Sequence, residues 1–233
     1  MKLKSTLLLI IFCLFSIVAI SQNHVCGSHH GYLEEQKDKF PQFYKSLENK
    51  NLQLEENNAK LLSKVSNNEK STDKKIIPVV VHVIHNFGSE NVTDAQVHDA
   101  IRVLNENING QDPQFISRTP DVFAAVVGKP NLEFRLATKD PNGEPTSGIN
   151  RIQSEMTQVP EPRDQIKAMS YWNSYQYLNI WVVKSLPTEN GGVLLGYAQF
   201  PFGGSMSTDG VAIIANQFAS TSSSTLTHEV GHW

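Results

Sequence analysis

Cysteine is nearly absent from this chain: its 233 residues hold two, Cys13 and Cys26, too few for a disulfide framework. An excess of one charge is absent too. Lys and Arg number 20 against 23 Asp and Glu, a formal net charge of −3. That balance excludes a polybasic nucleic-acid binder, which needs a surplus of cations to neutralise phosphates. No apolar run reaches the roughly 20 residues required to span a bilayer. What is present is 39% hydrophobic and 18% charged residues, a mix that supports a buried core and argues against disorder throughout. The length suits one medium domain with attachments or two small ones.

The first residues read as an address. Lys2 and Lys4 precede an almost wholly apolar stretch at residues 6–20, which exits through Ala19-Ile20-Ser21. A basic start, a brief apolar segment and a small-residue exit match a secretory signal peptide over residues 1–21. Export with cleavage is the expectation, with no membrane span in the mature chain. Cys13 leaves with the signal, and Cys26 becomes the one remaining thiol. Residues 22–75 are rich in Asn, Lys, Glu and Ser and carry no repeat and no catalytic grouping. Residues 33–47 could form a short amphipathic helix kinked or restarted at Pro41. Residues 50–75 have the composition of a solvated helix or loose linker.

The pattern changes at Ile76. Ile76-Ile77-Pro78-Val79-Val80-Val81-His82-Val83-Ile84 is a β-branched run suited to a strand buried on both faces. Thr93-Asp94-Ala95-Gln96 has capping-box spacing, and Val97, Ile101, Leu104 and Ile108 follow at helical intervals. Residues 132–138 alternate as a half-buried strand and lead into the turn Asp140-Pro141-Asn142-Gly143. Residues 161–176 read as partly helical, with Trp172 and Tyr175 as apolar anchors. Residues 177–183, 196–200 and 210–215 read as further strands. A Ser/Thr run at residues 220–225 then opens a final helix. Strands and helices in this order predict an α/β layer with a mixed sheet.

That last helix carries the chemistry. In Thr225-Leu226-Thr227-His228-Glu229-Val230-Gly231-His232-Trp233 the two histidines stand four residues apart. On a helix their imidazoles share one face and can bind one zinc ion, while Glu229 can reach a water on the metal's open side. Zinc would activate that water, and Glu229 would take its proton as general base and pass it to the leaving amine. The spacing therefore points to metal-assisted amide hydrolysis. An accidental HExxH in a chain of this size has a chance of roughly one or two per cent.

These residues, with Ile77-Pro78-Val79-Val80-Val81-His82-Val83-Ile84-His85, Leu132-Glu133-Phe134-Arg135-Leu136-Ala137, Asp140-Pro141-Asn142-Gly143, Tyr177-Leu178-Asn179-Ile180-Trp181 and Gly196-Tyr197-Ala198-Gln199-Phe200-Pro201, resemble the pappalysin (M43, cytophagalysin) family of metzincin metalloendopeptidases. The resemblance runs in order over about residues 76–233. It implies a metzincin-like upper (N-terminal) subdomain: a twisted mixed β-sheet with a backing helix and a zinc-binding active-site helix at the cleft floor. The family pattern adds a third histidine six residues beyond the second and a lower subdomain with a Met-turn. Neither is among these residues, so the chain as given is expected to be incomplete and inactive. The resemblance implies zinc as cofactor, admits calcium, and implies a protein or peptide substrate. Residues 22–75 become a pro-segment and linker, and residues 76–233 the N-terminal subdomain of the catalytic domain.

Other residues invite weighing. Cys26, in His24-Val25-Cys26-Gly27-Ser28-His29-His30, could be a cysteine switch whose thiolate blocks the zinc, or an ordinary free, lipidated or intermolecular thiol. The three histidines around it suit an exposed polar tail. His82 and His85 point to opposite faces of one strand, so structural roles are expected for both. His98 is expected to be solvated. Gly196, Tyr197, Ala198, Gln199 and Phe200, followed by Pro201, suit a sheet edge. In metzincins such an edge pairs antiparallel with extended substrate, and the resemblance favours that role here. Against the secreted zinc endopeptidase made as a zymogen stands a non-catalytic secreted peptide-binding module without a third zinc ligand. A third alternative is another zinc-peptidase family with a distant glutamate as third ligand.

Overall fold

A computed structural model of the chain describes residues 37–38, 41–62, 74–112, 117, 119–124, 127–128, 130–158, 164–187, 192–201 and 203–233. The expected signal peptide, Cys26 and its neighbouring histidines lie outside the described residues. The helices are α1 (Pro41–Leu62), α2 (Asp94–Ile108), α3 (Asp121–Ala124), α4 (Gln165–Ala168), α5 (Ala215–Phe218) and α6 (Thr225–His232). The strands are β1 (Lys75–His85), β2 (Leu132–Leu136), β3 (Ile149–Gln153), β4 (Leu178–Val183), β5 (Gly196–Ala198) and β6 (Val211–Ile214).

The β-branched run at residues 76–84 becomes the middle of the sheet, because its side chains are apolar on both faces. Every residue of β1 from Val79 to His85 is buried. Each large aliphatic side chain removed from water in this way stabilises the fold by about 1.5–3 kcal/mol. β1 pairs in parallel with β4 on one side. On its other side β2 lies along the first half and β3 along the second, both parallel. β6 continues beyond β4, and β5 closes the far edge antiparallel, giving the order β2-β1-β4-β6-β5 and the expected mixed sheet. β3 was not legible in the sequence. Its Asn150-Arg151-Ile152-Gln153 lacks a clean alternation, and the strand is set by its register on β1. Between β2 and β3 the chain loops outward, and Gly148 passes so close that a Cβ there would meet the Ala137 nitrogen at 2.7 Å.

α2 starts at the expected capping box. The Thr93 hydroxyl accepts from the Gln96 N–H at 3.2 Å, and the Gln96 side chain accepts from the Thr93 N–H at 2.8 Å. Val97, Ala100, Ile101 and Leu104 of α2 enter a core with Val79, Val81, Val83, Ile180 and Ile213, joined by Leu226 and Val230 of α6. The opposite face of the sheet buries Ile84, Trp181, Tyr197 and Ile214 with Ile166 of α4. The helix restart expected at Pro41 is present, because proline is preorganised for a first helical turn, and α1 then runs to Leu62, past residue 47. Two sequence readings need correction. Tyr175 is 81% exposed and anchors nothing, whereas Trp172 packs edge-on against His82 and Tyr177. The strand expected at residues 196–200 pairs as β5 only to Ala198, ahead of Pro201, which has no N–H to donate. Among the described residues no helix is long and apolar enough to cross a membrane.

Candidate active site

α6 is held from both ends of its sequence context. At its start the Ser223 hydroxyl accepts from the Thr225 N–H at 3.2 Å and donates to Gln217 at 2.8 Å. One turn on, Asn107 of α2 donates to the Thr227 hydroxyl at 3.0 Å. Leu226, Glu229 and Val230 are buried, at positions that share one helical face. That burial turns His228 and His232 outward to the open side of the helix, where His228 is exposed and His232 half-buried.

The two imidazoles converge. Their rings lie 4.6 Å apart and nearly perpendicular, and the two Nε2 atoms are 3.0 Å from each other. Two nitrogens on one tetrahedral zinc stand about 3.3 Å apart, given bonds of about 2.05 Å. Donor type and spacing therefore fit two corners of a zinc site. Among the described residues no group of three or more His, Cys, Asp or Glu is assembled for a metal.

Glu229, beside the first of these histidines, is 2% exposed. Its side chain fits only because residue 196 has none: a Cβ on Gly196 would stand 3.0 Å from the Glu229 Cγ. The candidate base thus packs directly on the edge strand β5. Phe200, past the end of β5, places its ring 5.1 Å from that of His232. Ala198 and Gln199 are buried, and Tyr197 turns its side chain into the core on the far face. The proposed pro-segment also reaches this corner. The Tyr44 hydroxyl of α1 donates to the Gly203 carbonyl at 3.2 Å, and burial pushes its pKa up.

The other described histidines, His82, His85 and His98, are held by other partners or exposed elsewhere. His82 is fully buried, stacked on Trp181 at 5.2 Å, with its Nε2 at 3.0 Å from the Asn179 side-chain oxygen. Burial pushes its pKa down to about 4, against the opposing effect of the hydrogen bond its ring donates to Asn179. His85 accepts from the Phe87 N–H, and His98 is exposed on α2.

Sequence reading missed Asp209, Lys167 and Trp233 as site residues. The Trp233 indole N–H donates to Asp209 Oδ2 at 2.9 Å. Lys167, buried in the core, is bound by Asp164 at 3.0 Å and by the Thr208 carbonyl at 2.6 Å. Burial pushes the Asp209 carboxyl up and the Lys167 ammonium down. In sequence, Asp209-Gly210 before a strand reads only as turn chemistry, which hides it.

Comparisons with known proteins place the chain in a family. Residues 161–233 match the family model for peptidase M43, described as pregnancy-associated plasma protein-A. Mature mirolysin of Tannerella forsythia, in complex with a cleaved peptide, is 40% identical with a TM-score of 0.62, over 70% of this chain and 63% of that one. Mirolysin in complex with compound 9 is 38% identical with a TM-score of 0.59, again over 70% and 63%. A glutamate-to-alanine mutant of Tannerella forsythia promirolysin is 34% identical with a TM-score of 0.69, over 90% of this chain and 68% of that one. The chain thus spans 63% of the length of either mirolysin chain. No curated protein sequence matches significantly. The likeness to promirolysin, joined to the family match over the zinc-motif helix, shows that this chain belongs to the M43 family of pappalysin-like metallopeptidases.

Proposed function

We propose that this chain belongs to a secreted zinc metalloendopeptidase made as a zymogen, with residues 76–233 as the upper subdomain of its catalytic domain. The observation that carries the reading is the convergence of the His228 and His232 nitrogens at 3.0 Å, one turn apart and beside the buried Glu229. His228 and His232 would hold the zinc, with a further ligand supplied from elsewhere in the family pattern. Zinc, when bound, polarises the scissile carbonyl and lowers the pKa of the attacking water.

The protein's own groups do the rest. Glu229 accepts the proton of the attacking water as its oxygen bonds to the peptide carbon. It then delivers that proton to the amide nitrogen as the C–N bond breaks. The carboxylate is held by Gly196 from one side, so it is oriented before substrate arrives. β5 is the edge of the sheet, and an extended peptide laid antiparallel along it would gain backbone hydrogen bonds. That mature mirolysin was captured with a cleaved peptide supports a peptide substrate here.

Support for the zymogen comes from coverage. The match to mature mirolysin takes in 70% of this chain, and the match to promirolysin 90%. Residues 22–75 are the segment a pro form would add, and Lys74-Lys75, at its end, offers a processing site where β1 begins. The signal peptide at residues 1–21 supports export. The alternative of a non-catalytic peptide-binding module draws on the absence of a third metal ligand among the described residues. Glu229→Gln in the full-length protein decides between them. Hydrolysis of a quenched peptide should fall by about 10²–10⁴-fold with zinc content unchanged. Near-normal hydrolysis would reject Glu229 as the base, and a wild type that binds peptide without cutting it would favour the binding module.

A further inference from the structure

The catalytic reading leaves the residue after His232 without a task. Trp233 directly follows His232, and its indole is part-buried against the core that α6 shares with α2. Its N–H is directed at Asp209, a carboxylate only 6% exposed. A buried carboxylate is costly unless it is paired, so its retention at this point calls for a reason.

Asp209 is prearranged from three sides. The residue before it, Thr208, gives its carbonyl to the Lys167 ammonium at 2.6 Å. That ammonium is itself fully buried, bound to Asp164, and seated over the Tyr197 ring at 4.8 Å and the Trp181 ring at 5.6 Å. The residue after it, Gly210, has φ 130°, and a Cβ there would meet the Asn179 carbonyl oxygen at 2.4 Å. The peptide on either side of Asp209 is therefore locked to the sheet core before α6 packs. Trp233 ties the His232 turn of α6 to this fixed point.

The geometry points to Asp209 as a positioning residue that acts through the Trp233 indole to set the rotation of the turn of α6 that carries His232, and so the aim of the His232 imidazole toward His228. The inference rests on the zinc reading only for its consequence. The orientation of the ring is a property of the chain itself. His228, one turn earlier, is steadied instead by the Asn107–Thr227 contact. Phe200 meets the His232 ring on another side at 5.1 Å. Asp209 bonds the indole next to His232, and so acts at one residue's remove.

The test uses the full chain in four forms: wild type, Asp209→Asn, Trp233→Phe and the double variant. Trp233→Phe keeps an aromatic ring in the core while removing the N–H and part of the indole's volume, so it remains informative if the Asp209 variant folds poorly. Long-range ¹H–¹⁵N spectra of the histidine rings report the His228–His232 contact without metal. Both single variants should shift or broaden the His232 ring signals while leaving buried His82 unmoved, and the double variant should resemble the singles. Unchanged His232 signals in folded Trp233→Phe would overturn the inference. A cobalt titration adds the metal arm, in which affinity should fall on the order of tenfold and the visible ligand-field bands should change. If wild-type protein binds no cobalt through His228 and His232, the zinc reading of these residues fails, and the ring spectra still decide the role of Asp209.

Discussion

Glu229 and Gly196 occupy one shared space: a Cβ on Gly196 would lie 3.0 Å from the Glu229 Cγ and equally 3.0 Å from the Ala212 carbonyl oxygen. The edge strand and the candidate base are thereby in contact, although 33 residues separate them in sequence. Substrate laid on β5 would pass directly beside the carboxylate.

This contact predicts the effect of adding bulk. Gly196→Ala should lower kcat several-fold in the full-length enzyme, and Gly196→Val by about 100-fold, because a displacement near 1 Å at a reacting group costs that much. Zinc content should stay the same in both. Steady-state kinetics with a quenched peptide test it, and a wild-type kcat in Gly196→Val would contradict the packing.

Two imidazoles make an incomplete zinc site, and catalytic zinc takes three protein ligands. Residues 22–233 expressed alone should bind zinc weakly and show negligible peptidase activity. Robust casein cleavage by that product, free of contaminating protease and abolished by a chelator, would count against the prediction.

His82 should impose a pH limit on stability. Folded, its pKa lies near 4, against 6.5 for the free side chain, because burial opposes the charge. Below pH 6.5 the unfolded chain takes up the proton first. The stabilisation is therefore complete above pH 6.5 and is lost as pH falls towards 4, on the order of 3 kcal/mol. Urea midpoints at several pH values should fall more steeply for wild type than for His82→Gln. Parallel curves would remove His82 as the cause.

Latency gives a further prediction. Cys26→Ala should raise activity of the unprocessed full-length form if the thiolate blocks the metal, with no effect once residues 22–75 are gone. Tyr44→Phe, which removes the hydrogen bond to the Gly203 carbonyl, should loosen the pro-segment and speed limited trypsin cleavage near Lys74. Unchanged latency in Cys26→Ala, with activation by deletion of residues 22–75, would assign inhibition to the body of the pro-segment rather than its thiol.

The features legible in the sequence are those whose physics acts over a few neighbouring residues. The both-faced apolar run of β1, the capping box at Thr93 and Gln96, and the one-turn spacing of His228 and His232 each follow from local periodicity, and the structure shows each of them. The opposite orientation of His82 and His85 follows in the same way from the strand period of two. Tertiary structure alone decided what depends on a distant partner. β3 is a strand because β1 offers it an edge. Tyr175 stays in water while Trp172, three residues earlier, packs against His82 and Tyr177, although both are large aromatics. The burial of Glu229 on Gly196 and the bond from Trp233 to Asp209 join segments brought together only by the order β4-β6-β5 and by the packing of α6 against it. Residue pattern sets which face of an element is apolar. Which other element covers that face, and which polar group is trapped there, is set by the pairing of the whole sheet.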